Sequence, residues 1–459
     1  MYASFGLFAF ASAYFINPED WYMLGLVCVS ALVYSINVLF FGFRDGMKRV
    51  VTDPFVILIA SFSLYFLFGP LLLVFGSEEQ ISKALKWYPA NAIDAVQVTS
   101  MNFIGLAILL FVASTFDGSM LAKAVQPAFD IFNKITMRSA FWLFTAIGSI
   151  AFGIANSSDD LKNGSTLLLS KLLLMAILLG TMYRGRGEMR MHSFAIVIMI
   201  LASTVGLLNF SKSDMFLPFI VLIFGLYLRS VNTKLIILLI VIMFTALGLV
   251  TKPTIEARVL LGKSEDTRLI SRPYILQEAF LKAYDDRSNT AGSNTTMWSR
   301  LSYITAQVAS VDFYDQGQGG KDLDLMFWVF VPRIIYPDKP IITWTGNELN
   351  EQMTGSYGSS TGVGLFVGGY YCLGWPGVIL VSVMAGWILS IFATVSRSIV
   401  ASGVTIGLPV GLFGNFMAFR IDGYFVGDFL GPFAMIMMTF LTLLFILHAG
   451  IPNAVSKRA

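Results

Sequence analysis

Histidine and cysteine are nearly missing from this chain of 459 residues, which has two of each. A zinc site needs such ligands at short, paired spacings. His192, His448, Cys28 and Cys372 stand far apart, so the chain has neither a metal-ligand pattern nor a disulfide framework. Charge is scarce as well. Asp, Glu, Lys and Arg make up 13% of the chain and nearly cancel, leaving a formal net charge of +3, which is no electrostatic footprint for nucleic acid. No internal repeat is visible, which weakens the case for a transporter assembled from two related halves. What is present is apolar: 56% hydrophobic residues, 14% aromatic, and a mean hydropathy of +0.73. That exceeds what a soluble surface tolerates, and the chain reads as an all-α polytopic membrane protein. The opening "MYASFGLFAF" lacks the basic flank of a cleavable signal, so its apolar run is expected to be a retained helix.

Windows of about 20 apolar residues predict twelve spans, near 2–16, 21–42, 54–75, 95–116, 139–155, 166–183, 193–209, 214–229, 235–250, 374–396, 402–419 and 425–448. Orientation follows from lysine and arginine. Fourteen of them collect in connections on one side, among them Arg44, Lys123, Arg184 and Arg229. Only five, Lys83, Lys86, Lys162, Lys212 and Arg420, occupy short loops on the other. The positive-inside rule then puts both termini in the cytoplasm. The expected organisation is a bundle of nine spans over 1–250, a long external segment over 251–373, and three more spans over 374–459.

A segment that long is usually functional. In "WSRLSYITAQVASVDFYD", Trp298, Leu301, Ile304, Val308 and Val311 recur at helical spacing, which predicts an amphipathic helix on the bundle or the membrane surface. "RPYILQEAFLKAYDDR" opens with Pro273 at a first-turn position and predicts a second short helix. "LMFWVFV", Leu325 to Val331, is apolar but too short to span. Behind it comes "VPRIIYPDKP", whose three prolines fix backbone angles and hold Arg333 and Lys339 at headgroup depth. Two readings of that segment stand side by side. It is a rigid cationic site for a lipid-linked phosphate, arginine offering a planar fork and lysine a point charge. Or it is an interfacial belt in which the two cations snorkel to headgroups or pair with Asp338. "DLD", Asp322 to Asp324, has the spacing of a metal-binding pair, but so short a triplet arises by chance and no metal is assigned to it.

The proline segment, the following "TGSYGSSTGVG" (Thr354 to Gly364) and "GGYYCLGWPG" leading into the next span resemble the Wzy-type polymerases of O-antigen, enterobacterial common antigen and related polysaccharides. "NFSKSDMFLPFIVLIFGLYLRS" is similar to that family's small-polar-basic start of a helix that ends in arginine, with Lys212 where members often carry arginine. The resemblance implies a GT-C-like glycosyltransferase of a bacterial inner membrane, working on the periplasmic side without a cofactor. It implies en bloc transfer between polyprenyl-diphosphate-linked oligosaccharides, alongside a flippase and a chain-length regulator.

Stabilising a leaving diphosphate calls for cations already in place. The candidates are Arg333 and Lys339, with Lys212 and Arg420 the sharper pair because both interrupt apolar helix ends where charge is costly. Neither histidine is expected to face the external side, so a general base would be a carboxylate raised by burial, with Asp422 and Glu348 as candidates. A ligase moving finished polymer, or a lipid-linked oligosaccharide flippase, remains the alternative.

Overall fold

The computed structural model describes residues 2–15, 21–44, 53–85, 88–132, 136–157, 169–229, 233–263, 271–284, 301–331, 336, 338–342, 344–355, 360–402, 408–434 and 436–437. Every regular element among the described residues is helical. Helices suit hydrocarbon, because a helix satisfies its backbone polar groups within one segment. Among the described residues seven helices are long and apolar enough to cross a bilayer: Trp21–Phe40, Pro54–Phe75, Ala92–Thr115, Met137–Asn156, Glu188–Leu208, Lys234–Arg258 and Leu365–Ala401. Four other predicted spans form shorter apolar helices, Tyr2–Phe15, Leu172–Met182, Lys212–Leu228 and Leu408–Phe419. The twelfth begins as a π-helical turn, Phe425–Leu430, while 438–459 lies outside the described residues and takes His448 with it.

Contacts divide the chain into two compact units, one formed by 1–130 and 295–459, the other by 131–294. In the first, the Ala92–Thr115 helix packs between Tyr2–Phe15 and Leu365–Ala401. Small residues permit the approach, as they do where no hydrophobic drive between helices exists. A Cβ at Gly105 would lie 2.3 Å from the Phe366 ring, and one at Gly386 would lie 2.7 Å from the Leu109 carbonyl oxygen. Ile304–Asp315 packs against both Ala92–Thr115 and Leu365–Ala401. Of the helix expected over this stretch, Trp298 lies outside the described residues; the helix described here begins at Ile304, and with neighbours on two sides it buries Gln307 and Ser310 as well as Ile304, Val308 and Val311. The apolar run from Leu325 falls in a 3-10 helix, Leu323–Phe330, that ends before Val331, with Phe327 and Phe330 exposed.

Two irregularities shape this unit. The Pro54–Phe75 span changes at Ser63–Phe68 into a π-helical stretch and then turns at Gly69, where a Cβ would lie 2.3 Å from the Leu301 carbonyl oxygen. The Leu365–Ala401 helix breaks at Leu373 and Gly374, the latter at φ 63°, just before Pro376. Glycine tolerates that angle and proline cannot continue the preceding ladder. The predicted start of the tenth span, residue 374, marks this break, and helix extends back to Leu365.

The second unit pairs Glu188–Leu208 with Lys212–Leu228, Met137–Ser157 with Leu172–Met182, and Thr233–Lys263 with Arg272–Tyr284. The expected short helix after Pro273 is this last one. Phe210 links the first pair at φ 53°, and its carbonyl accepts from Arg258 Nε at 2.9 Å and Nη2 at 2.7 Å. His192 is held between the Glu188 and Thr181 carbonyls at 2.6 and 3.0 Å. Arg229 also contacts His192 and pairs with Glu188.

Candidate functional site

The Leu408–Phe419 helix tightens into one 3-10 turn, Arg420–Asp422, and stops at Gly423. A Cβ there would lie 2.0 Å from Asp428 Oδ2, so only glycine lets that carboxylate fold back. The π-helical turn Phe425–Leu430 then begins with backbone donors that have no partner inside the turn, as any helix start does. Two carboxylates each take one N–H there. Asp428 Oδ2 accepts the Tyr424 N–H at 3.0 Å, and Asp322 Oδ2, from the segment before the Leu323–Phe330 helix, accepts the Val426 N–H at 3.0 Å.

This geometry gathers charge around Arg420. Its Nη2 lies 2.6 Å from Asp428 Oδ1, and its Nε lies 3.7 Å from Asp422 Oδ1. The first is a short charge-assisted bond that fixes the guanidinium plane, and the second is beyond hydrogen-bond length. The Tyr303 hydroxyl donates to Asp422 Oδ2 at 2.9 Å. Tyr65 stands edge-on to Tyr303 with ring centroids 5.6 Å apart, and Phe419 stands 6.1 Å from Tyr65. The Asp422 carbonyl accepts the Gly364 N–H at 3.0 Å, which ties the glycine-rich segment to the turn. Gly364 itself has φ +83° and faces the Phe66 ring. From Val363, next in the chain, a carbonyl accepts Gln307 Nε2 at 2.8 Å, and Gln307 Oε1 accepts Asn102 Nδ2 at 3.2 Å.

One guanidinium therefore faces Asp422 and Asp428, with Asp322 behind the same turn. Burial pushes the Asp422 carboxyl above the ordinary range, against the pull of Arg420 and the Tyr303 hydroxyl. Burial also raises Asp322 to about 7, the Val426 N–H opposing and Asp428 adding to the rise. Tyr303 is held well above its ordinary value by burial first and then by the Asp422 charge. Three carboxylates with one cation make a cluster that tends to keep a proton, the condition under which a carboxyl acts as acid or base near neutrality.

Of the residues singled out from sequence, the fold brings Arg420 and Asp422 together. Arg420 is not a free cation, since Asp428 occupies one edge of its guanidinium. Glu348 lies in the first turn of the Thr345–Thr354 helix, and among the described residues no hydrogen bond or ion pair joins it to Arg420 or Asp422. Lys339 Nζ donates to the Val331 carbonyl at 2.9 Å. Arg333 lies outside the described residues. Lys212 is the first residue of the Lys212–Leu228 helix, behind the cap Ser211, and belongs to the second compact unit. Among the described residues no group of three His, Cys, Asp or Glu side chains is placed to hold a metal ion, and Asp322 serves as a backbone cap instead.

Sequence reasoning passed over Asp428, Tyr303 and Tyr65. Asp428 carried a signal, being a lone acid within the apolar run "FVGDFLGPFAM". The two tyrosines carried none that separates them from the other fifteen among 17. No family model, curated protein or solved structure matches the chain.

Proposed function

We propose that this chain is a Wzy-type membrane glycosyltransferase that joins polyprenyl-diphosphate-linked oligosaccharide repeat units into a surface polysaccharide. In this reading it crosses a bacterial inner membrane about twelve times in a GT-C-like arrangement, with both ends in the cytoplasm and the Arg420 turn at the periplasmic face. One observation carries the proposal beyond the motif resemblance. A carboxyl raised by burial, Asp422, stands beside an arginine fixed by Asp428, at a break between apolar helices. Glycosyl transfer needs a group to take the acceptor proton and a dry, positioned setting in which to do so.

The roles divide accordingly. Asp422 is the base. Tyr303 orients it, and Arg420 contributes to the field at the reacting centre. Its charge is already opposed by two carboxylates, so the departing diphosphate calls for further cations, for which the proline segment carries Arg333 and Lys339. No metal or cofactor has a part in this scheme.

The test is deletion of the gene followed by display of the surface polysaccharide on a gel. The expected result is collapse of the ladder to molecules capped with a single repeat unit. Loss of all capped molecules would favour a ligase or flippase, and an unchanged ladder would end the proposal.

A further inference from the structure

Two polar atoms in the Arg420 turn lack what their chemistry requires. Arg420 Nε donates to nothing and Asp422 Oδ1 accepts from nothing among the described residues, and both are shielded from water. They face each other at 3.7 Å. The rest of each side chain is committed, Arg420 to Asp428 and Asp422 to Tyr303, so neither turns away freely to find another partner. An oxygen placed about 2.8 Å from both atoms closes a triangle with them. That oxygen must accept from the guanidinium and donate to the carboxylate. A hydroxyl does both. A phosphate oxygen only accepts, and it would meet the Asp422 charge.

The surroundings suit a sugar. Tyr65, Tyr303 and Phe419 stand next to this gap, and Phe419 is 44% exposed. An aromatic ring offers a flat apolar face for the C–H face of a pyranose, while planar charged groups held by their own hydrogen bonds take its hydroxyls. The Arg420 and Asp422 side chains are 36% and 21% exposed, so their outer edges reach the surface from which a ligand arrives.

We propose that the gap between Arg420 Nε and Asp422 Oδ1 binds the acceptor hydroxyl of a sugar at the non-reducing end of one repeat unit. This rests on the transferase reading and assigns Arg420 to the acceptor instead of the diphosphate. In the step it implies, the hydroxyl oxygen bonds to the anomeric carbon of the growing chain's lipid-linked end. Its proton passes to Asp422 Oδ1. The anomeric C–O bond to diphosphate breaks, and polyprenyl diphosphate leaves with the electron pair. Tyr303 holds the second carboxylate oxygen, which leaves Oδ1 as the one that takes the proton.

The experiment uses the full chain in lipid nanodiscs and two probes. One is the repeat-unit oligosaccharide freed from lipid and phosphate by mild acid, the other inorganic pyrophosphate, each titrated calorimetrically. Arg420→Lys removes Nε–H and should weaken oligosaccharide binding about 10-fold while changing pyrophosphate binding less than about twofold. Asp422→Asn keeps shape and an acceptor oxygen, so it should bind the oligosaccharide within about threefold of wild type yet lose transfer by about 100-fold or more. Arg420→Lys that weakens only pyrophosphate would overturn the assignment, as would Asp422→Asn that transfers at the wild-type rate, or wild-type protein that does not bind the oligosaccharide. If these results come with a ladder that collapses on gene deletion, the inference alone fails. If the ladder is unchanged, the transferase reading fails with it.

Discussion

Replacing Asp322 with asparagine separates hydrogen bonding from ionisation at one buried position. The side chain is 2% exposed, and its Oδ2 accepts the Val426 N–H at 3.0 Å, a bond that an asparagine carbonyl also makes. Burial is the main reason its carboxyl rises from an ordinary 3.8 to about 7. In the unfolded chain the group returns to its ordinary affinity. Between those two values the folded protein therefore holds a proton that the unfolded chain has released. Stability falls as pH rises through that window and is level above it. At about 1.4 kcal/mol for each tenfold in proton affinity, the full loss is about 4 kcal/mol. Asparagine does not ionise and escapes it. The two proteins should be equally stable near the acid end of the window, and above it Asp322→Asn should be the more stable by up to about 4 kcal/mol. The assay is thermal unfolding in nanodiscs, followed by tryptophan emission, with both proteins run side by side from about pH 4.5 to about pH 8.5. Taking the difference cancels the titrating groups that do not interact with Asp322, and leaves only its coupling to neighbours such as Asp428 beside its own titration. A constant difference across that range, or wild type gaining on the variant as pH rises, would refute the picture of a buried carboxyl that keeps its proton.

Two further substitutions test the frame around the site. Gly364→Ala places a Cβ at φ +83° and 2.6 Å from Phe66 Cζ, so it should lower stability by about 1 kcal/mol from the backbone alone and more from displacing a buried ring. The thermal midpoint of the extracted protein reads this, and an unchanged midpoint would mean that the glycine-rich segment is not held against the bundle. Gln307→Leu strips partners from the buried Val363 carbonyl and the Asn102 amide; about 2–4 kcal/mol of destabilisation is expected, with Gln307→Glu restoring only the contact to Asn102. Equal midpoints for Gln307→Leu and wild type would remove that chain of hydrogen bonds from the account of stability.

How far the chain could be read without its fold depends on how local the deciding physics is. Whether a stretch such as Ala92–Thr115 or Glu188–Leu208 becomes a membrane helix is settled by its own twenty-odd side chains and by the need to bond its backbone internally. Arg420 and Asp422 drew notice for the same reason, as charges adjoining apolar runs. The break at Leu373–Gly374 is marked in the sequence by Gly374 and Pro376, whereas the π-helical turns at Ser63–Phe68 and Phe425–Leu430 lie in apolar stretches that carry no such mark. At the end of the first of them Gly69 lies so close to Leu301 that a Cβ would be 2.3 Å from its carbonyl oxygen, a contact that no local pattern announces. The pairing of charges was equally hidden. Tyr303 reaches Asp422 across 119 positions and Asp322 reaches Val426 across 104, and Arg420 meets Asp428 only because the chain turns back at Gly423. Sequence alone thus determined which segments leave water and which charges stand at their ends. Tertiary structure decided which of those charges meet, because proton affinity and ion pairing depend on distance and burial, and neither quantity is carried by one segment.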